Sequence, residues 1–174
     1  MQFEKIKSPS TGCYIEVEFI DSPTKSSADA PMVILLHGVG GHSREVYIEQ
    51  ATLQFVNKGW NVALLNYSIL CISDEGSVGG NCLTDTKDIN FLVSHIRKYH
   101  SGFLGVIGFS MGGSKLVNYL LRTKEYCNCD AACTISAPLD FTTRNETGEL
   151  MQNYFLQCAN LLSSISIFTA YSTD

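Results

Sequence analysis

The chain has 174 residues, 45% hydrophobic and 17% charged, with 14 glycines and 4 prolines. That is enough apolar material for the core of one domain spanning 1–174, and it excludes a wholly disordered chain. The net charge is −5 and the 12 Lys and Arg are scattered, with Arg97-Lys98 the one adjacent pair, so no nucleic-acid partner is expected.

Residues Met1 to Ile6 alternate charged and apolar side chains, without the apolar stretch of a secretory signal. No apolar run reaches the ~20 residues of a membrane-spanning helix. These features lead us to expect a cytoplasmic protein. The seven cysteines (Cys13, Cys71, Cys82, Cys127, Cys129, Cys133, Cys158) are odd in number and irregular in spacing, and read as reduced, mostly buried thiols. Cys127-Asn128-Cys129 has no second pair or nearby His to complete a tetrahedral metal set, so no metal site is expected.

Residues 2 to 20 predict a β-hairpin, with Ser8-Pro9-Ser10-Thr11-Gly12 as the turn. Residues 21 to 31 read as a surface loop. Met32-Val33-Ile34-Leu35-Leu36 is apolar throughout, the pattern of a strand buried on both faces. Similar runs recur at Val62 to Leu65, Phe103 to Phe109 and Ala131 to Ile135. Helical stripes lie between them: Ile48, Ala51, Phe55 and Val56; Ile89, Leu92, Val93 and Ile96; Leu116, Val117, Leu120 and Leu121. Asp85 and Asp88 are expected to cap the second helix. Strand and helix in alternation predict an α/β fold, a mostly parallel sheet with helices on both faces. A polar loop from Thr142 to Gly148, a helix from about Glu149 to Leu162, and an atypical tail from Ser163 to Asp174 complete the reading.

The sharpest chemical signal is Gly108-Phe109-Ser110-Met111-Gly112-Gly113, entered from an apolar strand and left by an amphipathic helix. Glycines flanking a serine at such a junction permit a turn too tight for side chains, which lifts Ser110 off the sheet edge as a candidate nucleophile. The helix N-terminus then faces any charge that develops there. A second signal is the glycine-rich loop His37-Gly38-Val39-Gly40-Gly41 after the first buried strand. Its Val39 amide, with that of Met111, could hold an oxyanion during acyl transfer. The spacing of a dinucleotide loop is not met, and no Lys-Ser or Lys-Thr follows for a phosphate cradle.

With these motifs the chain resembles the α/β-hydrolases, and within them the YheT/EMB8-like group of monoacylglycerol lipase-like and short-chain esterase-like proteins. The resemblance covers roughly residues 30 to 160. It is carried by His37 to Gly41 followed by Ser43-Arg44-Glu45-x-Tyr47-Ile48, by Lys58-Gly59-Trp60, Asp85-Thr86-x-Asp88, the serine turn, and Ser136-x-Pro138-x-Asp140. It implies a serine hydrolase of acylglycerols or short-chain esters, acting through an acyl-enzyme on Ser110 without cofactor. Small ester or lipid substrates and contact with a membrane surface go with that reading.

Two departures stand out. Asn66-Tyr67-Ser68-Ile69-Leu70-Cys71 keeps the Asn and a Cys of the family's segment after the second buried strand but lacks its Arg and Gly. All four histidines (His37, His42, His95, His100) precede Ser110, whereas the family's order is Ser, acid, His. The chain is therefore expected to lack its last strands and to hydrolyse esters poorly alone; a catalytically dead binding or regulatory protein is the alternative. His37 is expected to shape its own loop, and His95 and His100 to lie on the surface. His42 and Asp140 remain as weak candidates for base and acid.

Overall fold

A computed structural model describes residues 2–7, 14–23, 30–67, 70–72, 78–80 and 86–139, with 70–72 and 78–80 described in their backbone. The chain divides into two units, Met1–Pro138 and Leu139–Asp174, and the fold below is that of the first. β1 (Gln2–Lys7) and β2 (Tyr14–Ile20) pair antiparallel, in line with the expected hairpin, with Gln2 opposite Phe19 and Lys7 opposite Tyr14. β3 (Met32–Leu36) follows, then helix α1 (Val46–Asn57) and β4 (Asn61–Asn66). β5 (Leu70–Ile72) and β6 (Val78–Gly80) form a separate antiparallel ribbon that the sequence reading did not anticipate. Helix α2 (Lys87–Ile96), β7 (Leu104–Phe109), helix α3 (Met111–Thr123), a 3₁₀ turn (Lys124–Tyr126) and β8 (Ala131–Ile135) complete the described chain.

Among the described residues, six strands make one sheet in the order β1-β2-β4-β3-β7-β8. β4, β3, β7 and β8 run parallel, and β2 joins β4 antiparallel. The pleat divides the central strand between two cores. Val33 and Leu35 pack with Val62, Leu64 and Ile48 on the α1 face. Ile34 and Leu36 pack with Val106, Ile89, Leu92, Ile96, Leu116 and Tyr119 on the face covered by α2 and α3. Burying each such side chain is worth about 1.5–3 kcal/mol, so β3 is the thermodynamic centre of the fold and a rigid base for the loop that follows it.

Several expectations need correction. β8 was expected to be buried on both faces, yet all five of its residues are exposed. Among the described residues it is the last strand of the sheet, and an apolar run alone does not distinguish an edge from a centre. In α3, Leu121 is exposed and Tyr119 is buried in its place, because the inward face runs through Met111, Ser114, Lys115, Leu116 and Tyr119. Helix α2 has Thr86 as its N-cap with no side-chain cap bond, and Asp88 sits within its first turn. Ser22, placed in a surface loop, is buried and donates from Oγ to the Val56 carbonyl at 3.0 Å. The hairpin turn, Cys13, Cys71 beyond its backbone, Cys82, Asp85, Asp140, the 142–148 loop, the helix expected from Glu149, Cys158 and the tail lie outside the described residues. No helix among the described residues is long and apolar enough to cross a membrane.

Candidate active site

β7 ends at Phe109 and α3 begins at Met111, leaving Ser110 alone to make the turn. It does so at φ 51° and ψ −120°, a conformation that side-chain-bearing residues rarely adopt. Its amide donates to the Ile135 carbonyl at 2.9 Å, and its carbonyl accepts from Gly113 and Ser114 at 2.9 and 3.1 Å. The surrounding glycines are forced by close backbone approach. A Cβ on Gly108 would lie 2.5 Å from the Gly112 carbonyl oxygen, and one on Gly112 would lie 2.5 Å from that of Leu36. On Gly113 it would meet Ala137 Cβ at 2.7 Å. β3, β7 and α3 are thus in backbone contact around one strained serine. Met111, as first residue of α3, has one of the amides that a helix leaves without an intrahelical acceptor.

The loop after β3 lies against this turn, since a Cβ on Gly38 would be 3.3 Å from Ser110 Cβ. Two contacts hold the Gly38 backbone. Its amide donates to the Tyr47 hydroxyl at 3.0 Å, and its carbonyl lies 2.8 Å from Nδ1 of buried His37. A carbonyl can only accept, so this contact assigns the His37 proton to Nδ1. Burial lowers the His37 pKa, against the opposing pull of the Gly38 bond and with help from the Lys115 charge. His37 is therefore the shaping residue its position suggests. Gly40 takes φ 63°, and the Gly41 amide closes the turn onto the Gly38 carbonyl at 3.3 Å. Val39 is exposed.

No protein-family model matches the chain. It is 31% identical over 126 residues to a monoacylglycerol lipase of Saccharomyces cerevisiae, covering 69% of this chain and 27% of that protein. It is 29% identical over 170 residues to phospholipase ABHD3 of Bos taurus, covering 88% of this chain and 39% of that protein. Among solved structures, esterase Pf2001 of Pyrococcus furiosus superposes with a TM-score of 0.63 at 19% identity, over 94% of this chain and 63% of that one. The chain has the α/β-hydrolase fold. It spans 26% to 40% of the length of the curated relatives it matches.

Within this hydrolase fold a polar network that the sequence reading missed anchors the His37–Tyr47 loop. Ser43 Oγ donates to the buried Glu18 carboxylate, and the Ser43 amide donates to Asn66 Oδ1 at 2.7 Å. Asn66 Nδ2 donates to Ser43 Oγ at 3.1 Å, and Arg44 reaches the second Glu18 oxygen at 3.1 Å. The loop is therefore tied to β2 and β4. The available signal was Glu18 itself, an acid between Val17 and Phe19 in a strand whose neighbours face inward.

Of the remaining candidates, His42 is exposed and turned to its own loop: Nδ1 accepts from the Arg44 amide at 3.0 Å, and Nε2 lies 3.6 Å from Glu45. His100, expected on the surface, is buried, with Nε2 donating to the Phe103 carbonyl at 3.2 Å. His95 is half-buried, edge-on to Tyr99 with centroids 5.6 Å apart. Lys115 is buried with Nζ 4.2 Å over the Tyr67 ring, which packs edge-on to His37. The expected burial of the thiols fails at Cys133, exposed on β8, whereas Cys127 and Cys129 are half-buried. Among the described residues, no cluster of three or more His, Cys, Asp or Glu could hold a metal.

Proposed function

We propose that the chain carries the nucleophile and oxyanion half of a serine hydrolase of carboxylic esters, acting on acylglycerols or short-chain esters. The carrying observation is Ser110, held at a positive φ between β7 and α3 with the Gly38 backbone packed against it. In this reading Ser110 Oγ attacks the ester carbonyl, and the amides of Met111 and Val39 receive the oxyanion. Collapse of the tetrahedral intermediate expels the alcohol and leaves the acyl group on Ser110, and water then releases the acid. The match to a monoacylglycerol lipase and to a phospholipase supports an ester-bearing lipid as the substrate class.

Each step moves a proton, so a base must reach Ser110. His37 holds Nδ1 on Gly38, His42 faces Arg44 and Glu45, and His100 faces Phe103. These engagements favour a second reading alongside the first, a scaffold that binds esters without turning them over. Labelling with a fluorophosphonate separates the two, because the reagent needs an activated serine. Label on wild type that disappears in Ser110→Ala supports the hydrolase, and a folded protein that takes no label supports the binding scaffold.

A further inference from the structure

Helix α3 has Ser110 at its start and a different chemistry beyond its end, about 20 Å away for 13 residues at 1.5 Å per residue. There the sulfurs of Cys127 and Cys129 lie 3.1 Å apart. The segment carrying them is tied on both sides. The Cys127 amide donates to the Lys124 carbonyl at 3.1 Å, and the Asn128 carbonyl accepts from Arg97 Nε at 2.7 Å. Asp130 accepts from Arg97 Nη2 and the Leu104 amide at 2.6 and 2.7 Å, and its own amide donates to the Leu104 carbonyl. The contact between the sulfurs is thus imposed by a braced turn.

The Cys127 sulfur also has donors around it. Polar groups of Cys129, Tyr119 and Thr123 beside that sulfur favour its thiolate form. We propose that Cys127 and Cys129 form a thiol–disulfide exchange site, which reacts with a low-molecular-weight disulfide and closes to an intrachain disulfide. In the first step the Cys127 thiolate attacks one sulfur of the small disulfide. That S–S bond breaks, one small thiolate leaves and is protonated, and Cys127 carries the other half as a mixed disulfide. In the second step Cys129 loses its proton and attacks the Cys127 sulfur, expelling the second small thiol. Two protein thiols are oxidised, and one small disulfide is reduced to two thiols.

The acidities suit that order. Burial works against the Cys127 thiolate, but its hydrogen bonds from Cys129 and Tyr119 outweigh burial and hold the thiol below its ordinary range. Cys129 is pushed up to about 12, first by burial and then by the neighbouring Cys127 sulfur. Capping Cys127 removes the charge on that sulfur, so this part of the rise lapses when Cys129 has to react.

The test treats the folded full chain with glutathione disulfide, quenches with acid, alkylates free thiols, and cleaves after Glu125 and before Asp130. The fragment Tyr126–Cys129 then holds these two cysteines alone. The expected fragment lacks two hydrogens and escapes alkylation, while Cys129→Ser retains a glutathione adduct on Cys127. In Cys127→Ser, modification of Cys129 slows by about tenfold or more. The same reaction on wild type in urea should lose the preference for this pair, a comparison that needs no variant to fold. A doubly alkylated fragment beside a glutathionylated Cys133, a lasting wild-type adduct, or an unchanged rate in Cys127→Ser or in urea would each overturn the proposal.

Discussion

Gly112 and Leu36 meet backbone to backbone: a Cβ on the glycine would stand 2.5 Å from the Leu36 carbonyl oxygen and 2.6 Å from that of His37. The first turn of α3 therefore rests directly on the end of β3, and neither partner is a flexible side chain that could give way. Gly112→Ala should cost about 3 kcal/mol or more, because the helix must lift from the sheet. Gly105→Ala is the control, since its Cβ would find only ordinary contacts with Phe103 and Val33, at 3.7 and 3.9 Å. It should stay within about 1 kcal/mol of wild type in urea unfolding. Equal midpoints for the two variants would show that the close approach is relieved at no cost.

Ser110 stores strain that a glycine would release. At φ 51° and ψ −120° its Cβ is the unfavourable element, and glycine has none. Ser110→Gly should therefore be more stable than Ser110→Ala by about 1 kcal/mol, even though glycine leaves a more flexible unfolded chain. The comparison is between two proteins that both lack the hydroxyl, so it reads the strain at the Cβ less the larger unfolded-state entropy of glycine. An alanine variant as stable as the glycine variant would contradict the strained turn.

The residues that made this turn visible in the sequence are the ones with the fewest substitutes. Gly108, Gly112 and Gly113 are required by backbone contacts under 3 Å, so the pattern around Ser110 is nearly a direct record of the geometry. The central strands were legible for a similar reason, because Val33 to Leu36 face a core on both sides. β8 shows where that reasoning stops: its apolar composition matches β3, but its position at the sheet edge depends on what pairs with it, which local sequence does not encode. His100 is buried because its ring nitrogen reaches a carbonyl three residues on, a contact without periodicity. The link from Glu18 through Ser43 to Asn66 joins residues 25 and 23 positions apart, and only the pairing of β2 with β4 brings them together.

That link makes a prediction of its own. Glu18 is buried and accepts from Ser43, whereas its Arg44 partner is largely exposed. Removing the carboxylate in Glu18→Ala leaves the buried Ser43 hydroxyl without this acceptor and should cost about 2 kcal/mol. Arg44→Ala should cost less than about 1 kcal/mol, since an exposed guanidinium returns to water with little loss. Amide hydrogen exchange over 38–43 should accelerate in Glu18→Ala and change little in Arg44→Ala, because the network holds the loop from below. Equal effects would mean that the surface ion pair carries the anchoring.

His37 gives the last prediction, a dependence on pH. Burial, the largest influence, holds its pKa below the ordinary 6.5, so near and below that value the unfolded chain binds a proton that the folded chain refuses. The unfolded state then gains with added acid, and stability must fall as the pH drops below 6.5 and continue falling until the folded-state pKa is reached. Above 6.5 both states are neutral at this position and the contribution is flat. Asp130 acts separately: its carboxylate, lowered chiefly by the Leu104 amide, loses its contribution only at pH below its ordinary 3.8. His37→Asn removes the first effect and leaves the second. Between pH 7 and pH 5, urea midpoints should therefore decline more steeply for wild type than for His37→Asn, whatever the variant's absolute stability. Parallel declines would mean that His37 accepts its proton as readily in the fold as out of it.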